Sequence, residues 1–216
     1  MAMTKTLIAL TTLFVAAASA ASADEQLERG EQIYGLCVQC HGENGGGMQL
    51  SLAPAIAGLP AWYVEGQVRL FKSGARGAHP DDLGGLRMYP MGRHFDGEDW
   101  EDDIAAVAAY VASMPKADPA PVLDGGDAAK GATVYGGLCI SCHGPAGEGN
   151  ASMQAPPLAG ASDWYLLESL KKYKTRVRGG NPAQNPMAAL MTGFAGQLSD
   201  EQAMKDVIAH ITTLSN

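Results

Sequence analysis

The four cysteines of the chain fall in two copies of one motif, Cys37-Val-Gln-Cys40-His41 and Cys139-Ile-Ser-Cys142-His143. Two residues between the cysteines let both sulfurs reach the two vinyl groups of one porphyrin as thioethers, and the adjacent histidine brings its imidazole under the iron. The motif predicts two covalently bound haem c groups, attached through Cys37, Cys40, Cys139 and Cys142, with His41 and His143 as iron ligands. Zinc sites and thioredoxin-like redox centres also use paired cysteines. A redox dithiol needs no histidine directly after its second cysteine, however, and two half zinc sites so far apart in the chain leave each metal short of ligands.

Each iron needs a sixth ligand, and its identity separates a carrier from a catalyst. A soft thioether prefers ferrous iron, so a methionine there raises the potential, and by filling the last position it excludes oxygen and peroxide. Laying Val107-Ala-Ala-Tyr-Val111 onto Val207-Ile-Ala-His-Ile211 sets Met91 opposite Met191, both in loop-like sequence. Met91 and Met191 are therefore the expected sixth ligands, with Met88 and Met187 as the nearest competitors. Ligation by His94 is the remote alternative, and His79 and His210 carry no expected chemistry.

The elements that must position these groups also come in pairs. Gly30 with Tyr34 returns as Gly131 with Tyr135, Ala53-Pro54 as Ala155-Pro156, Trp62-Tyr63 as Trp164-Tyr165, Lys72 as Lys174 and Arg76 as Arg178. This is a tandem duplication, and each copy reads as mostly helical with long glycine-rich loops. Helices are expected from Gln26 to Tyr34, from Ala61 to Lys72 with Val64, Val68 and Phe71 at helical spacing, and from about Trp100 to Ser113, stopped by Pro115. The final helix of the second copy opens at Leu198-Ser199, where Ser199 is placed to cap and Gln202 to reach back. The two glycines allow the first helix of each copy to press against the last. The fold class is all-α, two tandem domains each wrapped around one haem, which supplies much of so small a core.

The expected organisation is a cleaved signal peptide over residues 1–23, a first domain over 24–115, a linker over 116–126 and a second domain over 127–216. Lys5, the apolar run Leu7–Ala18 and a small-residue site at Ala18-Ser19-Ala20 or Ala21-Ser22-Ala23 carry the signal reading. That run is short for a membrane span. The proline-rich stretch from Pro115 to Pro121 reads as a stiff, non-helical linker. Export to the periplasm suits haem c, which bacteria attach on the far side of the inner membrane. The processed protein is expected not to span the membrane, although a peripheral association is compatible with it.

Charge divides the copies. The chain carries a formal net charge of -8; residues 24–115 hold 14 acids against 6 bases, whereas 116–216 hold 9 against 8. The run Glu98, Asp99, Glu101, Asp102, Asp103 is either an acidic first helical turn or a docking patch for a basic partner. Neither copy is net basic, so nucleic acid is not an expected partner. Buried haem carboxylates need counter-ions, and Arg76 and Arg178 are the expected propionate neighbours. The acidic first domain favours ferric iron and predicts the lower of the two potentials.

The order Gly-Xaa-Xaa-Xaa-Tyr, Cys-Xaa-Xaa-Cys-His-Gly, Pro-Xaa-Leu-Ala-Gly, Met-Xaa-Gly, Leu-Ser-Asp resembles the dihaem cytochrome c4 family over nearly the whole mature chain. It is similar too to the dihaem subunit of flavocytochrome c sulfide dehydrogenases. The resemblance implies two class I cytochrome c folds about a pseudo-twofold axis, with propionates turned to the interface. It also implies that the carbonyls of Pro54 and Pro156 accept the Nδ1 protons of the haem histidines. The function it implies is single-electron transfer between a quinol-oxidising complex or dehydrogenase and a terminal oxidase or reductase, by a monomer or as a subunit of a larger complex. In the first copy Phe95-Asp-Gly-Glu stands where the second has Leu-Ser-Asp, and Arg87-Met-Tyr-Pro-Met91 holds two methionines.

Overall fold

The computed structural model describes residues 23–214. The expected signal peptide, apart from its last residue, lies outside the described residues. Among those residues the chain is helical and strandless, with two isolated bridges at matched places, Met48 to Ala53 and Asn150 to Ala155.

The first half runs through α1 (residues 23–34), α2 (Val38–His41), α3 (Ala61–Ser73), α4 (Leu83–Arg93) and α5 (Trp100–Ser113). The second repeats the order as α6 (Ala128–Leu138), α7 (Ile140–His143), α8 (Asp163–Lys174), α9 (Pro186–Gln197) and α10 (Glu201–Ile211). The one-turn helices α2 and α7 are the haem motifs themselves. Residues 114–127 between the halves carry no helix, and Asp163 ties their end down by accepting from the Val122 and Leu123 amides, both at 2.7 Å.

In each half the first and last helices cross where a side chain would not fit. A Cβ on Gly30 would collide with the Ala106 carbonyl, and one on Gly131 with that of Asp206. The contact buries Tyr34 beside Tyr110 and Tyr135 beside His210, with ring centroids 5.5 and 5.2 Å apart. The cores spread from there, over Ile33, Tyr34, Val107 and Val111 in the first half and over Tyr135, Leu167, Val207 and Ile208 in the second.

Glu101, Asp102 and Asp103 occupy the first turn of α5, where the exposed amide dipoles favour negative charge. Asp103 also takes both Nε and Nη2 of Arg29 at 2.8 and 2.9 Å, pinning α5 to α1. At α10 the expected cap is displaced by one residue. Asp200, not Ser199, accepts from the Ala203 amide at 2.9 Å, because the helix begins at Glu201. Gln202 consequently points elsewhere, to the Gly125 carbonyl at 2.6 Å and Asp206 Oδ1 at 2.7 Å.

Candidate haem centres

A single turn brings each cysteine pair and its histidine to one wall. Tyr34 donates its hydroxyl proton to the Gly42 carbonyl and Tyr135 to that of Gly144, each at 2.7 Å, so the buried tyrosine of the first helix clamps the end of the motif turn. His41 and His143 are buried, at 5 and 6% exposure. Their Nδ1 atoms lie 2.9 and 2.8 Å from the carbonyl oxygens of Pro54 and Pro156. A carbonyl only accepts, so Nδ1 carries the proton and Nε2 presents its lone pair to the cavity. Burial lowers the pKa of both imidazoles, although the proline carbonyls act in the opposite direction, and neutral imidazole is the ligating form.

The thiols match the same chemistry. Burial pushes Cys37 and Cys139 up to about 11 each. A thiol held protonated in an apolar wall is a poor redox nucleophile or zinc ligand. Among the described residues no three His, Cys, Asp or Glu side chains gather as a metal cluster.

In the second half a cavity of about 300 Å³ is lined by Cys139, Cys142, His143 and Pro156 and also by Met187 and Met191. Phe194, Leu198, Val207 and Ile211 supply apolar lining. Part of its wall comes from the other half: Trp62, Tyr63, Gly66, Gln67 and Leu70 of α3 face the same space. The Trp62-Tyr63 pair thus both starts a helix and closes the neighbouring cavity.

Both methionines expected as ligands sit inside helices, Met91 in α4 and Met191 in α9, rather than in loops. The helices themselves set the register between the halves. Asp82 caps α4 by accepting from Gly85, and Asn185 caps α9 by accepting from Ala188. Gly77 packs on the Gly85 carbonyl and Gly179 on that of Ala188. Lys72 reaches the Phe95 carbonyl and Lys174 that of Leu198. The pairs within and after the two helices, Asp82 with Asn185, Gly85 with Ala188 and Phe95 with Leu198, align Met88, not Met91, with Met191 and set Met91 against Phe194. This register differs from the one drawn from the last helices because the segment between Phe95 and α5 is longer than that between Leu198 and α10, so the equivalence slips at the loop.

Arg76 and Arg178 meet at the interface between the halves. Arg76 donates to Gln67 Oε1 at 2.5 Å within its own half and to the Tyr165 hydroxyl at 2.7 Å across the interface. Arg178 donates to Ser169 at 3.4 Å and crosses to the same Gln67 oxygen at 3.2 Å. Each guanidinium also lies over an aromatic ring of its own half, Phe71 at 4.5 Å and Tyr173 at 4.7 Å. Within the described residues neither is ion-paired, and both Nε atoms are buried with no partner. Burial alone would raise the Tyr165 pKa, but the two arginine charges outweigh it and bring the hydroxyl down to about 7. Tyr63 beside it goes the other way, pushed up to about 12 by burial and by Tyr165.

Two cations with orphaned Nε–H groups, Arg178 buried and Arg76 half-buried, and a phenol drawn toward ionisation mark a surplus of positive field. Two carboxylates reaching this spot from haem edges would remove it. The residues present therefore fit two haem c groups: thiols and a histidine with its tautomer fixed in each half, a cavity beside the second motif, and unpaired guanidiniums where the halves join. Gln67 and Tyr165 were not legible as interface residues, since nothing in their local sequence marks a contact with the other copy.

The cytochrome c family model matches residues 27–115 and again 128–215. A thiosulfate dehydrogenase electron acceptor of Stutzerimonas stutzeri is 32% identical over 187 residues, covering 81% of this chain and 78% of that protein. Among solved structures, thiosulfate dehydrogenase of Marichromatium purpuratum superposes with a TM-score of 0.69 at 31% identity, over 87% of this chain but only 40% of the other. Acidithiobacillus ferrooxidans cytochrome c4 superposes with a TM-score of 0.65 at 26% identity, over 82% of this chain and 98% of that one.

Proposed function

Because the chain belongs to the cytochrome c family, with one such domain in each half, we propose that it is a periplasmic carrier that accepts single electrons from a dehydrogenase and passes them to a terminal oxidase or reductase. Thiosulfate dehydrogenase is the donor class its relatives favour. Bound haem c supplies a one-electron ferric/ferrous couple. The protein's part is to hold that couple closed. His41 and His143 present Nε2 with Nδ1 locked on proline carbonyls, Met88 and Met191 would supply the sixth ligands, and Arg76 and Arg178 would pair with the propionates. Held in this way, the haems would leave no open position for oxygen or peroxide.

The observation that supports this reading is that His143 and Met191 line one cavity together with Cys139 and Cys142, with Met88 in the matching register of the first half. Among the described residues no helix is long and apolar enough to cross a membrane. A second reading, as the haem part of a larger oxidoreductase, is favoured by the thiosulfate dehydrogenase superposition, in which a chain of this length covers less than half of the partner polypeptide. The purified dihaem protein, mixed with a thiosulfate dehydrogenase and thiosulfate, should be reduced at both haems and bind no carbon monoxide. Carbon monoxide binding to the reduced native protein, or peroxide turnover, would refute the closed carrier. Stable co-purification with the dehydrogenase would establish the subunit.

A further inference from the structure

The two halves do not support their methionine helices alike. Helix α9 is capped by Asn185, a neutral amide that needs no counter-ion. Helix α4 is capped by Asp82, a carboxylate only 3% exposed. Its Oδ1 accepts from the Gly85 amide at 2.9 Å and from Lys172 Nζ at 2.8 Å. Lys172 belongs to α8 of the other half, and its own side chain is 19% exposed. The pairs Trp62 with Trp164 and Lys72 with Lys174 put Leu70 in the place that Lys172 has in the second half. The ion pair therefore crosses the interface in one direction only.

Helix α4 depends on that end more than most helices do. Its eleven residues, Leu-Gly-Gly-Leu-Arg-Met-Tyr-Pro-Met-Gly-Arg, include three glycines and an interior proline. Glycine is a weak helix former, and Pro90 lacks the N–H that would bond back one turn. What orders the first turn is the cap, and the cap is charged. Burial pushes the Asp82 carboxyl up, but the Lys172 ammonium, the Gly85 amide and Arg76 together bring it below the usual carboxylate range. Met88 stands five residues past the first residue of α4, so it moves with this turn.

We propose that Lys172 is a positioning residue for the first haem: by neutralising Asp82 across the interface it fixes the start of α4 and holds Met88 at the iron of the opposite half. This rests on Met88 as a sixth ligand. Removing the ammonium leaves a buried, unpaired carboxylate, which is relieved only by taking up a proton or by turning the end of α4 into water. Turning the end of α4 into water loosens Met88 and leaves Met191 untouched.

The test uses the full-length dihaem protein. Oxidised native protein should show the near-infrared methionine-to-iron charge-transfer band from two centres; if it shows only one, the assignment of Met88 is what fails. Lys172→Met should lose about half of that band, and one of its two reduced haems should bind carbon monoxide. Lys172→Arg should keep both centres. The decisive variant is Lys172→Met with Asp82→Asn, which copies the neutral cap at Asn185 and should restore the full band and the carbon monoxide resistance. A Lys172→Met protein with the full native band, or a double variant as impaired as the single one, would overturn the proposal.

Discussion

At the scale of residues, most of the chemistry was legible because covalent haem attachment needs particular side chains at fixed spacing. The cysteine pairs and the histidines could be named from sequence. Which methionine of α4 matches Met191 could not. Its identity depends on where the repeat loses register, and Asp96-Gly-Glu-Asp99 offers no apolar landmark to reveal the longer loop. Met88 and Met91 differ by three residues, nearly one helical turn, so both fall near one face of α4. The distinction is open to direct measurement. Met88→Ala should remove about half of the methionine charge-transfer band and admit carbon monoxide to one haem, whereas Met91→Ala should leave both properties unchanged. Lys172 and Asp82 were equally hidden, since their pairing depends on how the halves dock.

At the scale of elements, periodicity located the outer helices well and the inner ones less so. Helices α1, α3, α5 and α10 carry regular apolar faces. Helix α4 does not: its glycines and Pro90 read as loop, and only the buried cap and the packing of Gly92 against Phe71 and Lys72 make a helix of it. The first-to-last helix crossing is the most extensive helix contact of the second half. Gly131→Ala should force α6 away from α10 and cost about 1–3 kcal/mol, seen as a lower unfolding midpoint. Gly136, exposed on the same helix with open space around it, provides the control. Gly136→Ala should be neutral or stabilise by about 0.5–1 kcal/mol.

At the scale of the whole molecule, the charge is unevenly shared while the fold is nearly twofold. Acids outnumber bases 14 to 6 in residues 24–115 and only 9 to 8 in residues 116–216. Negative charge stabilises ferric over ferrous iron, so the first centre should have the lower potential, and electrons should settle in the second. Potentiometric titration of the native protein with the centres resolved would check this. The gap should narrow as salt is raised, because exposed charges are screened over roughly 10 Å at 0.1 M ionic strength. The interlocked walls have a further consequence, for biosynthesis. Trp62, Tyr63 and Leu70 close over the same space that Cys139 and Cys142 line. Thioether formation at those sulfurs should therefore precede docking of the halves, so that the protein shuts over a porphyrin already stitched in.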